Sequence, residues 1–521
     1  MRLPSGARLA PRVWVSGAVG AGAFIVAVVL AGVLLADEGA PGRPRIGTEI
    51  PVTAMDRTRE PANNSPLLVA DPAEPRFVVM ANRLDAPDFS CALQVSGDGG
   101  RGWAPARPVP ELPAGADKCY APEVAFDRAG MLYYLFVGLA GRGNTPMGVF
   151  LTTSADRGRT FSTPRRVLGP RNYSVRMAID PERGRRGRMH LVWLKATLPP
   201  ATGGFGPPPN PIFAAYSDDG GRSFSEPSRV NDPARELAVA PALSLGQDGA
   251  VHVAYYDLGR DRVDYQGLEG PVWQGKWSLV MSSSFDGGRS FGTFRGGVID
   301  SEIVPPERVM LIFTMAPAAL VAQGERVCVG WTDARKGDRD VLSRCSENQG
   351  RRWQAPRRIN DDRPGNGVSQ YLPRLAVSSD GRLDAVFYDR RRDPTNIGTD
   401  VFYAFSSDGG RSFAPNVRLN ADSFDPRIGQ QYAIRSAQGQ VEFGSRLGLL
   451  ARRNGAAAAW ADTRNSLPLG KAQDIFSTTI SLRRSGERLA VAALVFAAAG
   501  LLALSAGVRQ RRRQRAAMAD L

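Results

Sequence analysis

The sequence predicts an all-β fold: a seven-bladed β-propeller of four-stranded blades, with a transmembrane helix at each end. Three observations lead there. A turn of the form Ser-x-Asp-x-Gly-x-x-aromatic recurs six times, its central residues falling at 98, 156, 219, 286, 348 and 408. Short apolar runs bounded by turn residues repeat with it, four to a unit, the pattern of a repeat fold built from strands. Two long apolar stretches, one near each end, stand outside the repeat. A six-bladed ring is the alternative count.

Taken in chain order, residues 1–12 form a short basic terminus with Arg2, Arg8 and Arg12, and Val13 to Ala36 is an apolar run. A bilayer crossing needs about 20 residues, and a cleaved leader usually has a shorter core and a small-residue cleavage site. The run therefore reads as an uncleaved anchor, with a cleaved leader as the alternative. Residues 37–62 form a linker, and within it 48–53 reads as a strand. The region 63–482 holds the repeats. Leu489–Val508 is a second span, and 509–521 is a tail with Arg509, Arg511–Arg513 and Arg515. Arginine at the outer flank of each span predicts both termini in the cytoplasm and the repeats outside.

Each repeat turn reads as a hairpin in which the carboxylate accepts backbone N–H groups and glycine takes the left-handed position. The carboxylates are Asp98, Asp156, Asp219, Asp286 and Asp408, and Asn348 stands in the fifth copy. A seventh set of strands starts at Ser445, continues through Ala456–Trp460 and Asp474–Ser481, and lacks both turn and fourth strand. The strand at 48–53 is expected to pair beside Asp474–Ser481, closing the ring and covering an open edge.

Composition fits an exported repeat protein. In 521 residues there are Gly 57 and Pro 39, and four cysteines fit an oxidising compartment. Pairs 91–119 and 328–345 are expected from their places in neighbouring strands and at a unit junction, although four cysteines allow three pairings. The formal charge of +15 is spread over single arginines, with dense clusters only at Arg183–Arg188 and in the last residues and neither interleaved with aromatics, which argues against nucleic acid. With His190 and His252 the only histidines and no Cys-x-x-Cys, no metal and no cofactor is expected.

The six turns and their strand order resemble the sialidase superfamily of Asp-box (BNR-repeat) propellers over roughly residues 48–482. The resemblance implies that the boxes are fold features on the face away from the site. For a catalytic member it also implies arginines clamping a carboxylate, a tyrosine nucleophile activated by a glutamate, and an aspartic acid as acid/base. By type, Glu123, Asp333, Asp389, Tyr371 and Tyr432 are the candidates. The sequence departs from the family where its catalytic members open the first blade with Arg-Ile-Pro, since Asn63-Asn64-Ser65-Pro66-Leu67 stands there.

Aligning the first strands places Leu67, Glu123, Arg176, Ala242, Ala318, Arg374 and Arg446 at one level around the axis. The ends of the second strands add Arg83, Asp85, Lys195, Asp257, Asp333, Arg335, Asp389, Arg390, Asp462 and Arg464 on the same face. Tyr120, Tyr173, Tyr371 and Tyr432 precede first strands. The arginine fork binds carboxylates bidentately, so Arg176, Arg374, Arg446, Arg335, Arg390 and Arg464 are the expected anion ligands. A competing reading makes the repeated Asp-x-Arg a structural ion pair, because a reacting group is needed only once. The expected function is a membrane-anchored extracytoplasmic module that binds an acidic glycan or a protein without catalysis. An exo-α-sialidase or related glycoside hydrolase, and a structural scaffold of an envelope complex, are the alternatives.

Overall fold

The computed structural model of the chain describes residues 42–53, 61–108, 111–180, 187–196, 210–261, 273–292, 297–305, 316–429, 444–466 and 472–482. Its propeller unit is Ile46–Ser481. The second unit, 1–45 with 482–521, contributes only 42–45 and 482 to the described residues. The expected spans 13–36 and 489–508, and the tails beyond them, lie outside the described residues. Among the described residues no helix is long and apolar enough to cross a membrane.

Seven antiparallel sheets form among the described residues, which excludes the six-bladed count. Their first strands are Asn63–Ala70, Lys118–Phe126, Asn172–Asp180, Ala238–Leu245, Ala319–Gln323, Gln370–Val377 and Gly448–Arg452. Each packs against the first strands of the blades before and after it, and the seventh packs against the first, so these strands line the axis of a closed ring. Second strands are covered on both faces; Val251–Asp257 and Gly455–Asp462 are buried at every residue. Such strands read as continuous apolar runs rather than alternating ones. Between the first two blades, Leu67, Val79 and Leu93 pack against Val124, Leu132 and Tyr134. Repeated blade by blade, this packing is the core.

The N-terminal segment completes the seventh blade. Ile50 pairs with Ser477 and Pro51 with Phe476. Gly47 N–H donates to the Thr479 carbonyl at 2.7 Å, and Val52 N–H to that of Ile475 at 2.7 Å. The first and last strands of the propeller unit thus close the ring, and the outer edge of Asp474–Ser481 is covered.

The repeat turns share one geometry. In the first, Asp98 Oδ1 accepts Ser96 Oγ at 2.8 Å and the amides of Arg101 and Gly102 at 3.0 and 2.9 Å. Asn348 does the same by its carbonyl, accepting Ser346 Oγ and the Arg352 amide, each at 2.9 Å. Gly100 has φ +87° and its amide bonds Ser96 Oγ, so both the conformation and the buried position favour glycine. The aromatic then reaches the neighbouring blade, where Trp103 Nε1 donates to Ser477 Oγ at 2.8 Å. Disulfides join Cys91 to Cys119 and Cys328 to Cys345. The first ties the third strand of one blade to the inner strand of the next.

Candidate functional site

The axial residues are positioned by a bulge in the inner strands. Strand register shifts between Asn64 and Leu67, Tyr120 and Glu123, Tyr173 and Arg176, Val239 and Ala242, and Tyr371 and Arg374. Within each bulge one non-glycine residue takes positive φ: Ser65, Ala121, Ser174, Ala240 and Leu372, at 49° to 53°. In four of the five, proline follows, as Pro66, Pro122, Pro241 and Pro373. These strands are the edges of their sheets, where proline, having no N–H to give to a ladder, is tolerated, and its recurrence after the positive-φ residue marks the bulge. The notched backbone releases carbonyls from the ladder, and each needs another donor.

The arginines supply donors. Arg446, 8% exposed, donates from Nη2 to the Pro122 carbonyl at 2.5 Å and from Nε to that of Ser65 at 3.2 Å. Its Nη1 closes an ion pair with Glu123 Oε1. Arg176 joins the same oxygen at 3.0 Å and reaches the Pro241 carbonyl at 3.3 Å. Burial pushes the Glu123 carboxyl up, but the charges of Arg446 and Arg176, aided by Arg374, outweigh it and hold the group below its ordinary range. Glu123 is therefore a carboxylate between guanidinium groups, without a proton to give.

Arg374 differs from its neighbours. Its Nε is buried and has no hydrogen-bond partner among the described residues. Burial, then repulsion from Arg446, pushes it down to about 10; Glu123 offsets part of this and Arg176 adds to it. The ring therefore holds three cations against one anion, and the surplus falls on Arg374. A small axial cavity on four successive blades is lined by Arg83, Tyr120, Glu123, Arg176, Arg446 and the bulge residues Ser65, Ala121, Pro122 and Ser174.

The second-strand ends behave otherwise. Asp333 accepts the Arg335 amide at 2.9 Å and pairs with the Arg335 guanidinium at 2.5 Å, which also meets Asp300 at 2.8 Å. Asp462 holds Arg464 at 2.5 Å, and Glu49 of the ring-closing segment meets the same guanidinium at 2.7 Å. In the sixth blade Arg391 makes the equivalent pair with Asp389, at 2.7 Å. Arg390 lies over the Tyr371 ring at 5.1 Å and donates to the Asn396 carbonyl at 3.1 Å. Burial raises the carboxyls of Asp389 and Asp462 despite their arginines. Asp257 pairs with Arg235, Arg83 with Asp85 at 2.5 Å, and Lys195 lies 5.6 Å from the Phe213 ring.

The structure thus gathers Glu123, Arg176 and Arg446 directly, and Arg374 through their shared field. Among the described residues, Arg374, Asp333, Asp389, Arg335, Arg390 and Arg464 do not line the axial cavity, and Asp333 and Asp389 are fully buried. Tyr371 has Thr399, Arg390 and Tyr388 beside it rather than a glutamate. Tyr432 lies outside the described residues. Tyr120, expected only at the rim, lines the cavity and accepts Arg83 Nη1 at 2.6 Å. Tyr173 is buried in the core between blades.

No family model matches the sequence, and no curated protein matches it. Solved structures similar to this chain include sialidases and a polysaccharide lyase. A protein of unknown function from Dyadobacter fermentans DSM 18053 is 12% identical over 84% of this chain and 99% of that chain, with a TM-score of 0.48. An ulvan lyase, from a new family of polysaccharide lyase, is 10% identical over 82% of this chain and 95% of its own, at 0.48. The NanB sialidase from Streptococcus pneumoniae is 12% identical over 82% and 70%, at 0.38. At these values the likeness carries no argument about chemistry, and the blade count rests on this chain's own sheets.

Proposed function

We propose that this chain is a membrane-anchored, extracytoplasmic propeller that binds a carboxylate-bearing ligand, an acidic glycan foremost, at its axial arginines and does not cleave it. One observation carries the reading: Arg374 brings a cation to the axis with its buried Nε unpartnered among the described residues, near two arginines that share a single carboxylate. A carboxylate bound in the axial cavity would relieve the surplus positive charge.

The states of the candidate catalytic groups support binding without turnover. A tyrosine nucleophile needs a nearby carboxylate as base and an accessible acid to protonate the leaving group. Glu123 is committed to two arginines, while Asp333 and Asp389 are fully buried and held by their own turns. Membrane anchorage rests on the two apolar runs at 13–36 and 489–508 and their arginine flanks. The scaffold reading keeps one observation in its favour, the Asp-x-Arg pairs repeated in three successive blades.

The test is binding of an acidic sugar to the full chain and to Arg374→Ala. Removing one partner of a charge-assisted pair should weaken binding by about 2–4 kcal/mol, and Arg374→Lys should recover little, lacking the fork. No sialic acid should be released from a fluorogenic sialoside. Steady release abolished by Arg374→Ala would overturn the non-catalytic reading and favour a glycoside hydrolase.

A further inference from the structure

Both ends of the propeller leave from one face. The strand Asp474–Ser481 starts opposite Asp462, at the axial-site face, and ends opposite Gly455. It runs the way every third strand runs into its Ser-x-Asp turn, so Ser481 lies on the face of those turns. The N-terminal segment is antiparallel to it, with Gly47 at Thr479 and Val52 at Ile475. It therefore enters the ring on the same face. Only residues 482–488 separate that exit from the apolar run at Leu489. Seven residues span at most about 25 Å when fully extended.

That face has a composition of its own. Each of its six repeat turns exposes an arginine: Arg101, Arg159, Arg222, Arg289, Arg351 and Arg411. The carboxylates of these turns fold back onto their own amides and hydroxyls, as Asp286 does on Arg289 N, Ser290 N and Ser290 Oγ at 2.9, 3.0 and 2.6 Å. Of the other acidic groups there, Glu347 pairs with Arg326, Glu74 with Arg76 and Arg157, and Asp218 with Arg188, while Glu226, Asp248, Glu325 and Asp380 are exposed and offset part of the positive charge. Phe285, in the fourth turn, is 39% exposed, one of two large apolar side chains exposed among the described residues. The Arg351 guanidinium lies 5.8 Å from its ring centroid. Protruding cations around an exposed aromatic match an anionic bilayer interface, which attracts arginine headgroup by headgroup and accepts aromatic rings at that depth.

We propose that the turn face docks on anionic phospholipid headgroups of the membrane that holds the chain. The turn arginines engage the headgroup charge and Phe285 enters the interfacial layer. The axial arginine site then points away from that membrane, toward a ligand arriving from outside. The inference rests on the reading of the two apolar runs as membrane spans.

The test uses the full chain reconstituted into vesicles of phosphatidylcholine with phosphatidylglycerol, carrying a nitroxide headgroup quencher. One fluorophore is placed at Phe285→Cys and, in a separate protein, one at Pro394→Cys, on the opposite face. Quenching at position 285 should exceed that at 394 by about twofold or more, and should fall when phosphatidylglycerol is omitted or when Arg222→Glu and Arg289→Glu are combined. Equal quenching at both positions, or stronger quenching at 394, in a chain that resists carbonate extraction, overturns the docking while leaving the anchorage intact. Loss of the chain from the vesicles on carbonate washing overturns the membrane reading, and the docking with it.

Discussion

Two arginines of the same axial ring should respond to charge removal with opposite signs. Methionine keeps most of the arginine stem while deleting the charge and its donors. Burial and the neighbouring Arg446 push Arg374 down to about 10, an environment that disfavours its charge by about 3 kcal/mol at about 1.4 kcal/mol per pH unit. Solvent at the partly open mouth screens some of this, leaving about 1–2 kcal/mol that Arg374→Met should add to stability at neutral pH. Arg446→Met removes the closest partner of buried Glu123 and the donors to the Pro122 and Ser65 carbonyls, and should cost about 3–5 kcal/mol. Urea unfolding of the full chain in detergent, followed by tryptophan fluorescence, reads both. A loss of more than about 1 kcal/mol in Arg374→Met without ligand would refute the reasoning, because it would mean that Arg374 already has a partner.

Three further outcomes follow from the same geometry. Asp219→Ala removes the acceptor of Ser223 N at 2.9 Å and Ser223 Oγ at 2.6 Å, and should cost about 1–2 kcal/mol in the same urea assay while leaving ligand affinity unchanged, since the turn lies on the far face. Glu123 is held below 4.5 by its arginines, so its contribution is complete above that value and is lost as pH falls through the depressed one. The stability gap between wild type and Glu123→Gln should be flat above about pH 4.5 and narrow on acidification, as melts across that range would show. Asp462→Ala strips a fully buried carboxylate from Arg464 and loosens the hold on Glu49; it should lower stability by about 3–5 kcal/mol and increase protease cleavage in residues 46–53.

Much of the fold was legible because its signals are local and repeated. The Ser-x-Asp-x-Gly turn dictates its own hydrogen bonds, so six copies give blade positions directly, and a seventh strand set without a partner strand points to the N-terminal segment. The axial level was legible too: aligning inner strands by their apolar residues brought Glu123, Arg176 and Arg446 together. What the alignment missed is the bulge. It was written in the sequence as Ala121-Pro122, Ala240-Pro241 and Leu372-Pro373, a proline at the same place in each of these sheet-edge strands. Arg335 and Arg464 entered as ligand residues because composition alone does not separate a free guanidinium from a paired one; the distinction depends on Asp300 and Glu49, distant in sequence. In Asp389-Arg390-Arg391 the residue two positions on makes the pair, as turn geometry requires, so the repeat belongs to Arg391 rather than Arg390.

The most direct test of an arginine site that recognises a carboxylate is a calorimetric titration of the full chain with sialic acid and, in parallel, with its methyl ester. The ester keeps the sugar's shape and removes the charge. The account predicts saturable binding of the acid, about 30-fold or more weaker binding of the ester, and loss of that preference in Arg374→Ala. Equal affinity for acid and ester, or a preference that survives Arg374→Ala, would contradict it.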